Sequence, residues 1–249
     1  MAMAGRVAFI TGAARGLGRE IAAALAGDGH RLYLVDILAD RLEATAAELR
    51  AGGHDVTMRV VDVSDRQQCA DAVADCVSQL GELAVLVNCA AVMRMEPLAG
   101  TSEEAWNRVL GVNLSGPFFL CQAAMPHIIA ASGNIVNIAS SNGLTGTPYT
   151  GPYSATKAAL INLTKTLAME FVEHPIRINA VCPGPMATEI ASGVQPNPAI
   201  KHDKVLRYSG QRGMGSAGDV AKVVAFLASD AAAGVHGAIW TADLGTSAG

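Results

Sequence analysis

The chain has 249 residues, a formal net charge of −4 and 4% aromatic residues, with its basic residues scattered. That balance supplies neither an electrostatic track for phosphates nor a stacking platform, which argues against nucleic acid as a partner. The length suits one large domain burying roughly 70 to 75% of its unfolded surface, so a sizeable core needs no staples.

Short β-prone runs alternate with longer alanine- and leucine-rich stretches of helical period. "RVAFIT" predicts a first strand and is followed by a helix over 16–27; "RLYLVD" is followed by a helix over 39–51, and "VTMRVVDV" by one over 65–80. "LAVLVN" precedes a long helix over 103–131, which Pro126 should kink or end, and "NIVNIAS" precedes a helix over 153–172. "IRINAVC" leads into an irregular stretch, then a helix over 218–229 and a last strand, "AIWTAD". The inner strands are apolar on both faces, as strands covered by helices on two sides should be. The fold class is therefore α/β: a Rossmann-type, doubly wound, seven-stranded parallel sheet with helices on both faces.

No linker, charge block or repeat divides the chain, so residues 1–249 read as a single domain, with a substrate-loop segment at about 185–216. That segment follows the carboxyl end of a strand, where open α/β sheets bind ligands. The five cysteines (Cys69, Cys76, Cys89, Cys121, Cys182) include no C-x-x-C pair, which fits reduced thiols and no zinc site. No uninterrupted apolar run approaches the ~18 residues of a membrane span, and a soluble cytoplasmic protein is expected.

Between the first strand and first helix, "TGAARGLG" places Gly12, Gly16 and Gly18 where the backbone must turn sharply and approach a ligand closely. Exposed amides at that helix start can hold a pyrophosphate. Asp36 ends the second strand eighteen residues after Gly18, where a carboxylate can accept hydrogen bonds from an adenosine ribose. An extra 2′-phosphate about 4 Å away would cost roughly 4 kcal/mol at an effective dielectric of 20, so NAD is favoured. Arg15 and Arg41 could offset part of that repulsion and keep NADP as the alternative; a helix cap is the structural alternative for Asp36. Asp62 and Val63, polar then apolar, suit an adenine amino group and ring face.

"GPYSATKAAL" sets Tyr153 and Lys157 four residues apart, on one helical face. A hydride leaves an alcohol carbon only as the hydroxyl proton departs, so a base is needed there. A tyrosine of ordinary pKa is only about 0.1% ionised at pH 7, and a drop of ~3 pH units needs about 4 kcal/mol of differential stabilisation. Lys157 and a positively charged nicotinamide are two nearby sources of it. Ser140 can donate to the same oxygen as charge develops. Taken alone, the pair would more often be a solvated helix face.

Thr11 to Gly18, Asp62 with Val63, Asn88, Asn113, Ser140 thirteen residues before Tyr153, Lys157, and "PGPMAT" with Pro183, Gly184 and Thr188 together resemble the short-chain dehydrogenase/reductase family, in its compact single-domain branch. The resemblance spans nearly the whole chain. It implies a catalytic set of Asn113, Ser140, Tyr153 and Lys157, with Asn113 holding a water that links the lysine to solvent. It implies cofactor contacts from Gly12, Arg15, Gly16, Leu17, Gly18, Asp36, Asp62, Val63, Asn88, Ala90, Tyr153, Lys157, Pro183, Gly184 and Thr188. The implied activity is NAD-dependent exchange of a hydride with a small-molecule secondary alcohol or ketone, in a homotetramer, without metal; a non-catalytic NAD-binding scaffold is the alternative from another class.

Two departures stand out. "NCAA" replaces Asn-Asn-Ala-Gly, putting Ala91 where glycine is usual, and "WTADLG" replaces Val-Asp-Gly-Gly around Asp243. The substrate pocket is expected from Met93 to Met95, Asn142 to Tyr149 and the irregular segment, where Lys201, Lys204 and Arg207 at helical spacing could draw in an anion.

Overall fold

The computed structural model describes residues 5–186, 197–206 and 212–248. Seven strands form one parallel sheet: β1 (Val7–Thr11), β2 (Arg31–Asp36), β3 (Val56–Val60), β4 (Val85–Asn88), β5 (Asn134–Ile138), β6 (Arg177–Pro183) and β7 (Ile239–Ala242), in the order β3-β2-β1-β4-β5-β6-β7. The order reverses between β1 and β4, so a crevice opens beyond their carboxyl ends.

Alternation along β1 shows how the sequence builds two layers. Ala8 and Ile10 point to one face, into a cluster with Leu17, Ile21 and Leu25 of α1 (Gly16–Gly27), Leu42 and Ala46 of α2 (Ala39–Ala51), and Val220 and Val224 of a C-terminal helix. Val7 and Phe9 point to the other, packing with Cys69, Val73 and Cys76 of α3 (Arg66–Leu80) and Leu120, Cys121 and Ala124 of a later helix. Both sets are almost wholly withdrawn from water, which explains why the strands read as continuous apolar runs. Phe9 also stacks on Tyr33 of β2, with ring centroids 5.2 Å apart.

The long helix expected over 103–131 is composite. It comprises α4 (Glu103–Leu110), a π-helical turn at Gly111–Ser115, and α5 (Gly116–Ala130). Pro126 lies inside α5, which continues to Ala130; the change of helical register comes earlier, at the π turn carrying Asn113. Together Glu103–Ala130 is long and apolar enough to cross a bilayer, although no single run of its sequence suggested it; half of its most apolar window is buried within the fold.

Helix α6 (Gly151–Glu170) begins at Gly151-Pro152, and proline in a first turn loses no needed donor. The described residues then include a short helix, α7 (His202–Leu206), and α8 (Ala217–Ala228), which packs on α1. Part of the irregular segment returns beside β6 through a bridge between Met186 and Gly215. Thr188 and Arg207 lie outside the described residues.

Candidate active site

A cavity of about 380 Å³ occupies the crevice at the switch between β1 and β4. At one end lies the glycine turn. Gly12 has φ +69°, and a Cβ on it would sit 2.8 Å from the Ala90 Cα; a Cβ on Gly18 would sit 2.0 Å from the Gly12 carbonyl oxygen. The helix start is thus drawn onto the turn more closely than any side chain permits, the cradle that a pyrophosphate requires. Thr11 fixes its other wall: its hydroxyl oxygen accepts from the backbone N–H of Cys89 at 2.8 Å and of Ala90 at 2.9 Å.

Asp36 stands at the same end of the cavity. Its carboxylate accepts from the Ala14 and Leu38 amides, each at 3.1 Å, so it is held at the tip of β2 with its remaining lone pairs toward the cavity side. It thereby also ties the glycine turn to the start of α2, a cap-like role alongside any ribose contact. Farther along, Asp62 accepts from Arg108 Nη1 at 2.8 Å and from the Ser64 hydroxyl at 2.7 Å. Burial raises the Asp62 pKa, but the bonds from Ser64 and Arg108 outweigh it and hold the carboxyl below its ordinary value. Arg108 lines the cavity too, 46 residues from Asp62 in sequence, and no local pattern announces it.

At the centre, Ser140, Tyr153 and Lys157 meet. Ser140 follows β5, and its hydroxyl oxygen accepts from the Asn142 N–H at 3.2 Å. The same hydroxyl favours the ionised form of the Tyr153 phenol. One helical turn on, Lys157 is buried; its ammonium donates to the Ile138 carbonyl at 2.7 Å and lies 5.7 Å from the Tyr153 ring centroid. A solvated helix face does not bury its lysine this way.

The electrostatics differ from the simplest sequence expectation. Burial raises the Tyr153 pKa above its ordinary value, and the Ser140 hydroxyl counters only part of it. Burial also lowers Lys157 to about 8, against smaller opposing effects from Cys89 and Cys182. Protein groups alone therefore hold the phenol protonated, and the lysine does not by itself bring it down.

Of the residues anticipated from sequence, Gly12, Arg15, Gly16, Leu17, Gly18, Asp36, Asp62, Val63, Ala90, Ser140, Tyr153, Lys157, Pro183 and Gly184 line this one cavity. Asn88 and Asn113 do not. Asn88 is buried behind it, donating to Asn137 Oδ1 at 2.8 Å, and Asn137 in turn donates to Thr164 at 3.0 Å, which joins β4, β5 and α6. The Asn113 side chain accepts from the Val92 N–H and donates to the Val92 carbonyl, both at 2.9 Å, with a further bond to Thr156 at 3.3 Å. Both amide hydrogens are thereby engaged, and Oδ1 keeps one lone pair.

The two sequence departures differ in their effect. Ala91 keeps ordinary negative-φ backbone, whereas Leu244, in "WTADLG" where the resemblance has glycine, is held at φ +55°, one of three non-glycine residues with positive φ among the described residues, with Ser132 and Tyr149. Asp243 is buried and caps the closing turn, accepting from Gly245 N at 3.0 Å and Ser247 N at 2.9 Å. Lys201 and Lys204 are exposed and do not line the cavity.

A family model described as "Enoyl-(Acyl carrier protein) reductase" matches residues 12–247. The chain is 35% identical over 251 residues to 2,5-dichloro-2,5-cyclohexadiene-1,4-diol dehydrogenase of Sphingobium indicum, covering 99% of this chain and 98% of that protein. It is 36% identical over 238 residues to D-threitol dehydrogenase of Mycolicibacterium smegmatis, covering 94% and 90%. The crystal structure of a dehydrogenase/reductase from Sinorhizobium meliloti superposes with a TM-score of 0.88 at 34% identity, covering 98% of this chain and 95% of that one.

Proposed function

The chain belongs to the short-chain dehydrogenase/reductase family, and on that premise we propose that it is an NAD-dependent dehydrogenase exchanging a hydride between a nicotinamide cofactor and a secondary alcohol or the matching ketone. The observation that carries this reading is the convergence of Ser140, Tyr153 and Lys157 on a single cavity whose far end is the Gly12–Gly18 cradle and Asp36. A bound nicotinamide supplies the two-electron acceptor for the hydride on the carbinol carbon.

The chain's own residues handle the proton and the oxygen. In oxidation, Tyr153 acts in its ionised form, with the positive nicotinamide of the oxidised cofactor favouring that form: its Oη takes the hydroxyl proton while the C–H electron pair leaves as hydride and the C=O bond forms; in reduction the phenol returns a proton to the carbonyl oxygen. Ser140 donates to that oxygen as negative charge builds on it; before the substrate takes that proton, the same hydroxyl favours the ionised tyrosine. Lys157, pinned by Ile138, supplies positive charge beneath the tyrosine when protonated. Asn113 acts as a positioning residue: it fixes Val92, a cavity-lining residue after β4, against α6. A scaffold that binds dinucleotide without chemistry has no need of this set.

NAD is favoured over NADP by Asp36, since a 2′-phosphate at the tip of β2 would meet its carboxylate. Arg15 lines the cavity as well and supports NADP dependence as the second reading. A homotetramer is the expected assembly, with Trp106, Phe118 and Met169 exposing apolar surface on α4, α5 and α6. The test is a panel of secondary alcohols and ketones with each cofactor, followed by absorbance of the reduced nicotinamide. NAD-linked turnover is expected; no turnover of any compound with either cofactor would overturn the reading.

A further inference from the structure

Resting on the dehydrogenase reading above, we propose that the substrate is a neutral alcohol with an apolar body and a second hydrogen-bonding oxygen close to the carbinol, recognised by Asn142. The sheet order sorts the cavity into two halves. The charged lining residues Arg15, Asp36, Asp62 and Arg108 belong to the segments after β1, β2 and β3 and to α4. The segments after β4, β5 and β6 make the other half, and its apolar wall is Val92, Met93, Met95, Met186, Val205 and Met214. Four of those six are methionines, unbranched and polarizable, a wall that fits an irregular hydrocarbon body rather than one rigid shape.

No charged side chain lines that half among the described residues, apart from Lys157 at its floor, one of whose donors goes to the Ile138 carbonyl. A carboxylate brought there would lose its water with only Lys157 to pair it, and would draw on the positive charge that the tyrosine needs. The polar groups present are neutral, and Asn142 has a specific position among them. It sits in the 3₁₀ turn Ser141–Gly143, two residues from Ser140, with its backbone N–H held by Ser140 Oγ at 3.2 Å. Asn142 lines the cavity, and its side-chain amide has no hydrogen-bond partner among the described residues. Thr150, by contrast, is engaged with the Thr147 carbonyl at 2.9 Å and with Ser154 at 2.8 Å. An amide offering one acceptor and two donors, fixed beside the residue that holds the reacting oxygen, suits a hydroxyl or carbonyl on a neighbouring carbon.

Three probes with one ring separate the components: cyclohexanol, trans-cyclohexane-1,2-diol and trans-2-hydroxycyclohexanecarboxylate, each assayed with NAD for kcat/KM. The diol should lead, and exceed the carboxylate by at least about tenfold. In Asn142→Ala, the ratio of kcat/KM for the diol to that for cyclohexanol should fall about tenfold, while Asn142→Asp, which keeps acceptors but loses donors, should lower it less. A carboxylate turned over as well as the diol, or a diol-to-cyclohexanol ratio unchanged in both variants, would overturn this inference and leave the dehydrogenase intact. Oxidation of other alcohols but none of these three would do the same. Failure of every alcohol would instead remove the reading beneath it.

Discussion

Replacing Lys157 by methionine removes a buried cation while keeping most of its volume. The lysine's fall from 10.5 to about 8 corresponds to about 3 kcal/mol of folding free energy lost when it is charged. The sign follows from proton counting. Between pH 8 and 10.5 the unfolded chain holds the Lys157 proton and the folded chain does not, so wild-type stability rises with pH there; below pH 8 the full cost is present. The variant lifts that cost but leaves the Ile138 carbonyl, now bonded at 2.7 Å, without its partner, at about 1–3 kcal/mol. At pH 7 the two effects nearly cancel, so the variant should be as stable as the wild type while losing turnover. Urea midpoints from pH 7 to 10.5 should then show the wild type gaining about 3 kcal/mol on the variant. The raised Tyr153 is common to both proteins and drops out of the difference. A difference that stays flat, or moves against the wild type, would refute the reasoning.

Other substitutions probe the remaining parts of the site. Gly18→Ala drives a methyl to within 2.0 Å of the Gly12 carbonyl oxygen; cofactor affinity by fluorescence titration should fall at least tenfold, with stability down by about 2 kcal/mol. Asp36→Ala frees the Ala14 and Leu38 amides and removes the charge facing a 2′-phosphate, so the ratio of kcat/KM for NADP over NAD should rise at least about tenfold. Asn113→Ala leaves the Val92 N–H and carbonyl unpartnered; about 2–4 kcal/mol should be lost in denaturant unfolding.

The architecture was legible because strand burial is written in composition. Six of the seven strands lie within the runs read from sequence, β6 passes the end of its run by one residue to Pro183, and α1 and α2 match at both ends. Apolar character on both faces and long crossovers leave few other arrangements. The π turn at Gly111–Ser115 was not legible, because its cause is tertiary: Asn113 is held by Val92 and Thr156, 21 and 43 residues away. Pro126 drew attention as the point of interruption, yet α5 runs past it to Ala130.

In the site, spacing identified what a local motif can encode: the glycine turn, Asp36, and the Tyr153 and Lys157 pair. It did not find Arg108, which reaches Asp62 from a distant helix. Nor could it give the direction of the Tyr153 perturbation, because adjacency of a lysine says nothing about how deeply both groups are withdrawn from water. Which methionines face the substrate likewise depends on three loops brought side by side by strand order.

The most direct test of the account deletes one oxygen atom. Tyr153→Phe should bind NAD with nearly wild-type affinity, since Asp36 and the glycine cradle are untouched, yet form no reduced nicotinamide from an alcohol that the wild type oxidises. Oxidation at the wild-type rate by that variant would contradict it.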